Sequence, residues 1–387
     1  MKKRLPPFAF LCLLLIMGCP SKPPTEEIIG NDHKYKALDS LVNAQISAGN
    51  MKGLSLAVIS GQKIDYVKSY GYADIRHSVH IGTQFDTIPV QISTQFMTLE
   101  NAYPFLATAL FQLQEKGKIN LSANINRYLS FAVINPHFPQ DSITIAMLLC
   151  GVSAIKDNYL PKNTGDSPIK LKDYLKAYLP IDGVYYSPNN YATTAPGTTP
   201  LPSYIGMALA GYVVEEVTGI SLNDYCKAYI YPSLGIYNCS WFLSELDTND
   251  VAAPYRFQGN SYVRMPHYGF PYYPAGQLRI SAEHSARWLL ALQNEGNYLQ
   301  GRILQAASVA QMKTKPFAAI APHAAFGWRY WQENGRTLLG NSATGIGVCN
   351  LMFYDTLTKA GVVIYGNADS ALLRTKAIMG KALELAD

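Results

Sequence analysis

The chain has 387 residues, of which 48% are hydrophobic and 15% are charged, enough for a large core in one domain or two lobes. The formal net charge of +5 falls to about +2 when Lys2, Lys3 and Arg4 near the amino terminus are set aside. No basic stripe with interleaved aromatic residues accompanies this small charge, so we expect no nucleic-acid partner.

The first part of the chain has the pattern of an export signal. Residues 8–17 form an apolar run behind a basic start, which suits a signal peptide and is too short for a good membrane span. The run ends in LIMGC at residues 15–19, which resembles the lipobox of bacterial lipoproteins. The resemblance implies removal of residues 1–18, acylation of Cys19, and a tether over residues 19–34 that anchors an exported protein to the membrane of the cell envelope. An ordinary signal peptide that happens to contain a cysteine is the alternative.

Four further cysteines show no spacing typical of a metal site. None of them lies in a C-x-x-C pair or near a histidine at ligand spacing, so we expect no metal and no cofactor. Cys226 and Cys239 are the nearest pair for a disulfide in an exported protein, but we favour buried free thiols. The four residues are Cys150, Cys226, Cys239 and Cys349.

The first elements of the predicted domain are a helix and a β-hairpin. Apolar residues recur on one face of residues 35–48, which is typical of an amphipathic helix. Residues 54–59 and 63–67 have the composition of strands, and the Ser-Gly-Gln sequence at 60–62 is typical of a hairpin turn. We interpret residues 75–92 as a polar connection to the next helix.

The clearest helix signal in the chain lies in residues 94–121. Its apolar residues recur at the spacing that places one stripe against a core, and they are Phe105, Leu106, Ala109, Leu110 and Leu113. Pro104 suits the first turn, where a missing N–H costs little, and Gly117 between two lysines is a typical helix end. Residues 100–104 are therefore the entrance of a buried helix, where N–H groups and the helix dipole can serve a nucleophile.

The rest of the chain divides into a helical middle and a set of carboxy-terminal strands. Residues 156–200 show little periodicity, and we interpret them as a long loop. Predicted helices cover residues 142–150, 203–218, 222–231, 281–294 and 370–385, and predicted strands cover residues 327–333, 336–339, 348–354 and 359–365.

This distribution of elements predicts an α/β (α+β) fold with two lobes. A two-stranded hairpin is marginal by itself, so the strands at both ends of the chain should share one antiparallel sheet flanked by helices. The mainly helical block at about residues 95–275 is then an inserted lobe, and a cleft should lie between the lobes. We assign residues 35–387 to this one domain.

Several short phrases, taken in order, resemble the β-lactamase-related serine hydrolases, which include class C β-lactamases, D-alanyl-D-alanine carboxypeptidases and related esterases. The phrases include GYAD at 71–74, ATALFQL at 107–113, PGT at 196–198, GYVVEEVTG at 211–219 and GW at 327–328. The resemblance implies a β-lactamase/transpeptidase-like fold. It also implies acyl transfer by the serine of S-x-x-K, assisted by a Y-x-N tyrosine, an H-x-G or K-T-G strand and an oxyanion hole that includes the serine's own N–H.

Alignment of these phrases indicates that the catalytic motifs have been replaced. The family positions are occupied by Glu100 for serine, Tyr103 for lysine, Pro202 and Tyr204 for Y-x-N, and Asn341, Ser342 and Ala343 for H-x-G. A phenol with a pKa of about 10 is a poor substitute for the lysine base. We attribute the acid at position 100 to the helix dipole, which favours it by about 0.3–1 kcal/mol. We therefore predict a pseudoenzyme with a binding or accessory role.

Two other functions stay open at this stage. One is an active esterase, peptidase or β-lactamase with a rearranged site that uses Ser93, Ser203 or Ser342. The other is a glycan- or peptide-binding module built on the aromatic residues of 253–275, although these residues could equally cover the core. Its candidates are Tyr255, Tyr262, Tyr268, Tyr272 and Tyr273.

The cleft is the expected place for a ligand, which would be a peptide, a glycan or a peptidoglycan fragment. Its candidate binding residues are Glu100, Tyr103, Tyr204, Tyr268, Tyr272, Tyr273 and Asn341.

Overall fold

A computed structural model describes residue 30 and residues 32–77, 85–369 and 371–387. The predicted signal peptide, Cys19 and most of the predicted tether lie outside the described residues. Within the described ranges the α-helices are α1 (Asp32–Ser47), α2 (Tyr103–Glu115), α3 (Ile145–Leu149), α4 (Leu171–Tyr178), α5 (Tyr204–Thr218), α6 (Leu222–Tyr229), α7 (Ala282–Gln293), α8 (Ala306–Met312) and α9 (Leu372–Ala386).

The strands form one large antiparallel sheet and several short pairs. In chain order they are β1 (Gly53–Ser60), β2 (Lys63–His77), β3 (Phe85–Pro89), β4 (Phe96–Met97), β5 (Asn163–Thr164), β6 (Tyr255–Gln258), β7 (Ser261–Arg264), β8 (Tyr268–Gly269), β9 (Arg279–Ile280), β10 (Asn297–Tyr298), β11 (Gly301–Arg302), β12 (Ala324–Ala325), β13 (Trp328–Glu333), β14 (Arg336–Gly345), β15 (Val348–Asp355) and β16 (Gly361–Gly366). The large sheet has the order β12-β13-β14-β15-β16-β1-β2-β3.

Strands from both ends of the chain share this sheet, which confirms the predicted fold class. β1 pairs with β2 on one side and with β16 on the other, where Val58 lies opposite Val362. Because side chains alternate along a strand, Leu54 and Leu56 face the layer of α1 and α9. Ala57 and Ile59 face the opposite core, which contains α2 and α5. The sheet therefore has helices on both faces.

The central helices have the boundaries that local chemistry favours. Pro104 lies in the first turn of α2, and Gly117 follows the end of α2 with a φ of +66°. The hydroxyl of Ser203 accepts a hydrogen bond from the N–H of Gly206 at the start of α5, and Gly219 ends that helix in the left-handed conformation. These two helices carry the residues that line the cleft at their amino-terminal ends.

Part of the segment interpreted as a long loop is a helix, so that prediction was wrong there. α4 buries a side chain at each of the positions i, i+3, i+4 and i+7, which are Leu171, Tyr174, Leu175 and Tyr178. The signal was present, but it covers only two turns inside a stretch rich in Asn, Pro and Tyr. β3 likewise lies in the predicted polar connection, and β14 continues past its predicted end at 339 to Gly345.

The four cysteines of the described chain are buried free thiols, as expected. Burial raises the pKa of Cys226 to about 12 and holds that thiol in its protonated form. Among the helices that the structure describes, no single one is long and apolar enough to cross a membrane. α5 and α6 meet that criterion only together, as a pair bent by 69°.

Candidate active site

A cavity of about 610 Å³ lies where the amino-terminal ends of α2 and α5 meet β13 and β14. The structure brings the replaced motif positions together here, and those that line the cavity are Glu100, Tyr103, Pro202, Tyr204, Asn341 and Ser342. Ala343, the last position of the third motif, is 1% exposed and belongs to the core. Positions far apart in the sequence therefore form one site.

A strained turn presents Glu100 to this cavity. Leu99 precedes it with a φ of +46°, a conformation that branched side chains rarely adopt. The N–H of Leu99 donates a 2.9 Å hydrogen bond to the carbonyl of Gly276, and a Cβ at Gly276 would lie 2.5 Å from the Cα of Leu99. Contact with the 3₁₀ turn at Tyr273–Ala275 thus holds the turn at Leu99–Ala102 in place.

The carboxyl group of Glu100 is bonded to a tyrosine. The hydroxyl of Tyr204 donates a 2.7 Å hydrogen bond to Oε1 of Glu100, whereas the buried Oε2 has no hydrogen-bond partner in the described chain. Burial raises the pKa of Glu100 above its ordinary value, although Tyr204 and the residue's own N–H act in the opposite direction. Glu100 also precedes the first turn of α2. Burial and the bond from Tyr204 therefore act on this acid, which also lies in the first turn of the 3₁₀ helix Leu99–Ala102, and its attribution to the helix dipole stays a prediction.

The two tyrosines of the site are neutral. Burial raises the pKa of Tyr103 well above its ordinary value, and the negative charge of Glu100 adds to the effect. Burial and Glu100 raise the pKa of Tyr204 in the same way. Each phenol can donate or accept a hydrogen bond, but neither can act as the base that a lysine provides.

Asn341, at the first position of the predicted H-x-G motif, donates hydrogen bonds to two neighbouring backbone segments. Its side-chain amide donates hydrogen bonds of 3.1 Å to the carbonyl of Glu100 and 2.8 Å to the carbonyl of Gly327. The side chain is 4% exposed, so these bonds are shielded from water. Asn341 therefore ties β14 to the turn before α2 and to the start of β13. The amide is committed to the scaffold rather than to a ligand.

The serines considered for a rearranged site lack a lysine or tyrosine partner in the described chain. Ser93 is exposed and does not line the cavity. Ser203 donates a 2.7 Å hydrogen bond to Asp157, and Ser342 lines the cavity without a hydrogen bond to a lysine or tyrosine of the described chain. Among the residues with described placement, none of these serines is hydrogen-bonded to a lysine or tyrosine, and the carboxylate of Asp157 that accepts from Ser203 is also engaged as the cap of α5.

Asp157 is a site residue that the sequence analysis did not identify. Its carboxylate accepts bonds from the hydroxyl of Ser203 and from the backbone N–H groups of Tyr204 and Ile205, at 2.7, 2.9 and 3.0 Å. It thus caps α5 and fixes the position of Tyr204. The contact spans 46 residues, and no local pattern could have indicated it.

Four tyrosines of the aromatic segment belong to the core and do not line the cavity. Tyr255, Tyr268, Tyr272 and Tyr273 are between 2% and 9% exposed, and none of them is among the lining residues. The hydroxyls of Tyr255, Tyr268 and Tyr273 bond inside the protein; for example, Tyr268 donates a 3.0 Å bond to the carbonyl of Ile346. The assignment of Tyr268, Tyr272 and Tyr273 to the cleft is therefore corrected, because packing in the hydrophobic core buries their side chains.

The cavity combines apolar walls with hydroxyl, amide and carboxyl groups and has the size of a small-molecule site. Within the described ranges there is no cluster of three or more His, Cys, Asp or Glu residues that could hold a metal. The arrangement can bind a ligand by packing and hydrogen bonds, but the positions for a nucleophile and its base hold Glu100 and Tyr103.

Comparison with known proteins confirms the resemblance. Protein flp of Staphylococcus aureus (strain MW2) is 19% identical over 347 residues, which cover 88% of this chain but 64% of that protein. The chain thus spans less than two thirds of the length of this relative.

Solved structures show the same fold at low identity. D-amino acid amidase from Ochrobactrum anthropi SV3 has a TM-score of 0.71 at 20% identity, over 91% of this chain and 98% of that chain. A penicillin-binding protein homologue from Pyrococcus abyssi has a TM-score of 0.68 at 20% identity, over 90% of this chain and 78% of that chain. The family model described as Beta-lactamase matches residues 38–383, and the chain belongs to that family.

Proposed function

We propose that this protein is a member of the family that no longer performs acyl transfer and instead binds a ligand in the cavity as an accessory protein of the cell envelope. The observation that carries the proposal is the carboxyl group of Glu100, which stands at the position of the nucleophile and is bonded to Tyr204 at 2.7 Å. A serine at that position would form the acyl-enzyme, whereas Glu100 cannot form that ester.

The replacement also affects the oxyanion hole implied by the resemblance. The N–H of residue 100 would help to stabilise a tetrahedral intermediate, but here it interacts with the residue's own carboxyl group and lowers the pKa of Glu100. An oxyanion placed there would lie beside a carboxyl group and would be repelled whenever Glu100 is ionised. Loss of the nucleophile and an altered oxyanion site both oppose the family reaction.

A binding role is supported by the cavity that remains. Its volume of about 610 Å³ lies in the range of roughly 300–1,000 Å³ that ligand pockets occupy. Leu148, Met207 and Trp328 supply apolar walls, while Tyr103 and Ser342 supply hydroxyl groups. A peptide or glycan fragment of peptidoglycan has the mixed polarity that such a surface would accommodate.

The envelope location is supported by the sequence of residues 15–19 and by the basic and apolar residues before it. Acylation at Cys19 would tether the described domain to a membrane through the residues that precede α1. Expression in a bacterial host with radioactive palmitate tests this part of the proposal. Label should appear in the wild type and disappear in Cys19→Ser. Equal labelling of both proteins would contradict lipid attachment at this site.

Activity-based labelling tests the loss of catalysis. The purified protein should form no covalent adduct with a fluorescent penicillin or a serine-reactive phosphonate, and it should not hydrolyse simple esters. Ser203→Ala and Ser342→Ala are the matched controls. Turnover by the wild type that either variant abolishes would overturn the proposal and establish the rearranged hydrolase instead.

The double variant Glu100→Ser/Tyr103→Lys tests whether these two positions account for the loss. It restores the S-x-x-K motif on an otherwise unchanged helix, with Glu100→Ser alone as the control. We expect adduct formation with the phosphonate in the double variant above that of the single variant, because only the double variant pairs a hydroxyl with a base.

A binding titration tests the part of the proposal that assigns a ligand to the cavity. Titration of the wild type with soluble peptidoglycan fragments should give a signal that Trp328→Ala weakens, because that change removes an apolar wall of the cavity. The exposed Lys170, which is not a lining residue, provides the control variant Lys170→Ala. Absence of any saturable signal would remove peptidoglycan as the ligand.

A further inference from the structure

A second large groove lies outside the candidate active site. It has a volume of about 920 Å³ and runs along the end of β2, beside β3 and the β6–β7 hairpin. Its lining includes three cations, Lys52, Arg76 and Arg264, and no acidic residue. The catalytic chemistry discussed above uses none of these residues. We refer to this surface as the basic groove.

The buried carboxylate of Asp74 fixes the orientation of both arginines of the basic groove. Nε and Nη2 of Arg264 donate hydrogen bonds of 2.6 and 2.9 Å to the two oxygens of Asp74, and Nε of Arg76 donates a third of 2.6 Å. The side chain of Asp74 is 3% exposed, whereas those of Arg76 and Arg264 are 38% and 39% exposed. Both guanidinium groups are therefore fixed in place while part of each faces water.

The positive charge of this groove exceeds the charge that Asp74 neutralises. One carboxylate faces two guanidinium groups, and Lys52 has no ion-pair partner in the part of the chain that the structure describes. Burial alone would raise the pKa of Asp74, but the bonds from Arg264 and Arg76 lower it, so this carboxylate is ionised at neutral pH.

Aromatic side chains border the cations. Tyr72 lines the groove and is 43% exposed, which leaves its ring free for contact. Tyr262 is fixed by its hydroxyl, which donates to the carbonyls of Asn50 and Asp369 at 3.0 and 2.9 Å. The surface thus combines oriented donors with flat apolar contacts, and its volume exceeds that of a single small anion.

We propose that the basic groove binds a phosphate-bearing ligand, with the phosphate held by Arg76, Arg264 and Lys52 and the adjoining part of the ligand packed on Tyr72. Arg264 is fixed through Nε and Nη2, and Arg76 through Nε to Asp74 and through Nη2 to Asn249 at 3.2 Å. The remaining N–H groups, chiefly those of each Nη1, are donors that suit phosphate oxygens. The excess charge favours a dianion or a chain of phosphates over a single carboxylate. The phosphate can belong to a soluble phosphodiester or polyphosphate, or to the headgroup of an anionic lipid.

Charge reversal at Lys52 tests the proposal without disturbing Asp74. Binding of short-chain inorganic polyphosphate, and of vesicles of phosphatidylglycerol in phosphatidylcholine, is measured for the full chain at about 0.1 M salt, where exposed charges are screened beyond about 10 Å. Lys52→Glu should weaken binding of the responding probe by about tenfold or more. Lys170→Glu changes the net charge equally at an exposed position outside the groove and should leave binding unchanged.

Arg76→Gln provides a second variant, because Asp74 keeps both bonds from Arg264. Circular dichroism confirms that it is folded, and its binding should fall as in Lys52→Glu. A response to polyphosphate identifies a soluble phosphate ligand, and a response to vesicles alone identifies a lipid headgroup. Absence of binding to both probes would overturn the proposal, and so would an equal loss in Lys170→Glu.

Discussion

The hydroxyl of Tyr204 and Oε1 of Glu100 lie 2.7 Å apart across the cavity, and both residues line it. The bond links the amino-terminal end of α5 to the turn before α2, over a separation of 104 residues. It gives the carboxyl group of Glu100 a neutral phenol as its partner. Under the proposed function, this pair stands where the family reaction would need a serine.

Removal of this phenol should destabilise the protein. Tyr204→Phe keeps the ring but leaves Oε1 of the largely buried Glu100 without a donor, which costs about 1–3 kcal/mol. Denaturant unfolding monitored by circular dichroism measures the change. Tyr103→Phe is the control, because no hydrogen bond of its hydroxyl is observed in the described chain, and it should cost less than Tyr204→Phe. Equal costs would show that the bond contributes nothing specific.

Glu100→Gln should stabilise the protein at neutral pH. Because burial raises the pKa of Glu100 above 4.5, the folded protein holds this proton more tightly than the unfolded chain does. The stability that comes with the protonated form is complete below about pH 4.5 and is lost as the pH rises through the elevated pKa. A glutamine at position 100 keeps an uncharged hydrogen-bond acceptor for the hydroxyl of Tyr204 and avoids this loss of stability.

Thermal unfolding at several pH values measures that effect. The Tm of Glu100→Gln should exceed that of the wild type at pH 7, with about 1–2 °C for each kcal/mol gained, and the two should converge at pH 4. Glu384→Gln removes an exposed carboxylate and should change the Tm little at either pH. A lower Tm for Glu100→Gln at pH 7 would contradict the raised pKa.

Asn341→Ala should weaken the connection between β14 and the turn before α2. The change leaves the carbonyls of Glu100 and Gly327 without their shared donor, and an unsatisfied buried group costs about 1–3 kcal/mol. Ser342→Ala at the next position removes a hydroxyl with no hydrogen bond in the described chain and should stay within about 0.5 kcal/mol. Denaturant midpoints of the two variants give the comparison, and a similar loss in both would refute the structural role of Asn341.

Gly276→Ala should disrupt the strained turn that presents Glu100. The glycine has a φ of +132°, and an added Cβ would lie 2.5 Å from the Cα of Leu99, so the backbone at Leu99 must move. Gly335→Ala is the control, because Gly335 also has a positive φ, +76°, but a Cβ there would meet no atom within 4 Å. It therefore measures the cost of the left-handed backbone conformation alone, about 1–2 kcal/mol. Gly276→Ala should cost clearly more than this control in denaturant unfolding. A cost no larger than that of Gly335→Ala would exclude the close contact.

Much of the fold followed from local patterns. The apolar stripe and the proline and glycine of α2, the serine and glycine of α5, and the hairpin of β1 and β2 are signals within a few residues, and the structure has these elements at nearly the predicted positions. The helix α4 was not predicted, because its pattern of apolar residues extends over only two helical turns. The alignment of short phrases also placed Glu100 and Tyr103 at the entrance of the central helix. The structure has both residues in the lining of the cavity.

The sequence by itself determined the family and the antiparallel sheet shared by both ends of the chain, because these depend on residue type and spacing. The replacement of the catalytic residues at positions 100, 103 and 341–343 stays a prediction from the same alignment. Only the tertiary structure decided what the replacements do. Contacts between distant segments pair Glu100 with Tyr204, hold Tyr204 through Asp157, and commit Asn341 to the scaffold. They also bury Tyr268 in the core. Such contacts, and the pKa shifts that burial causes, depend on three-dimensional proximity, which has no signature in a local pattern.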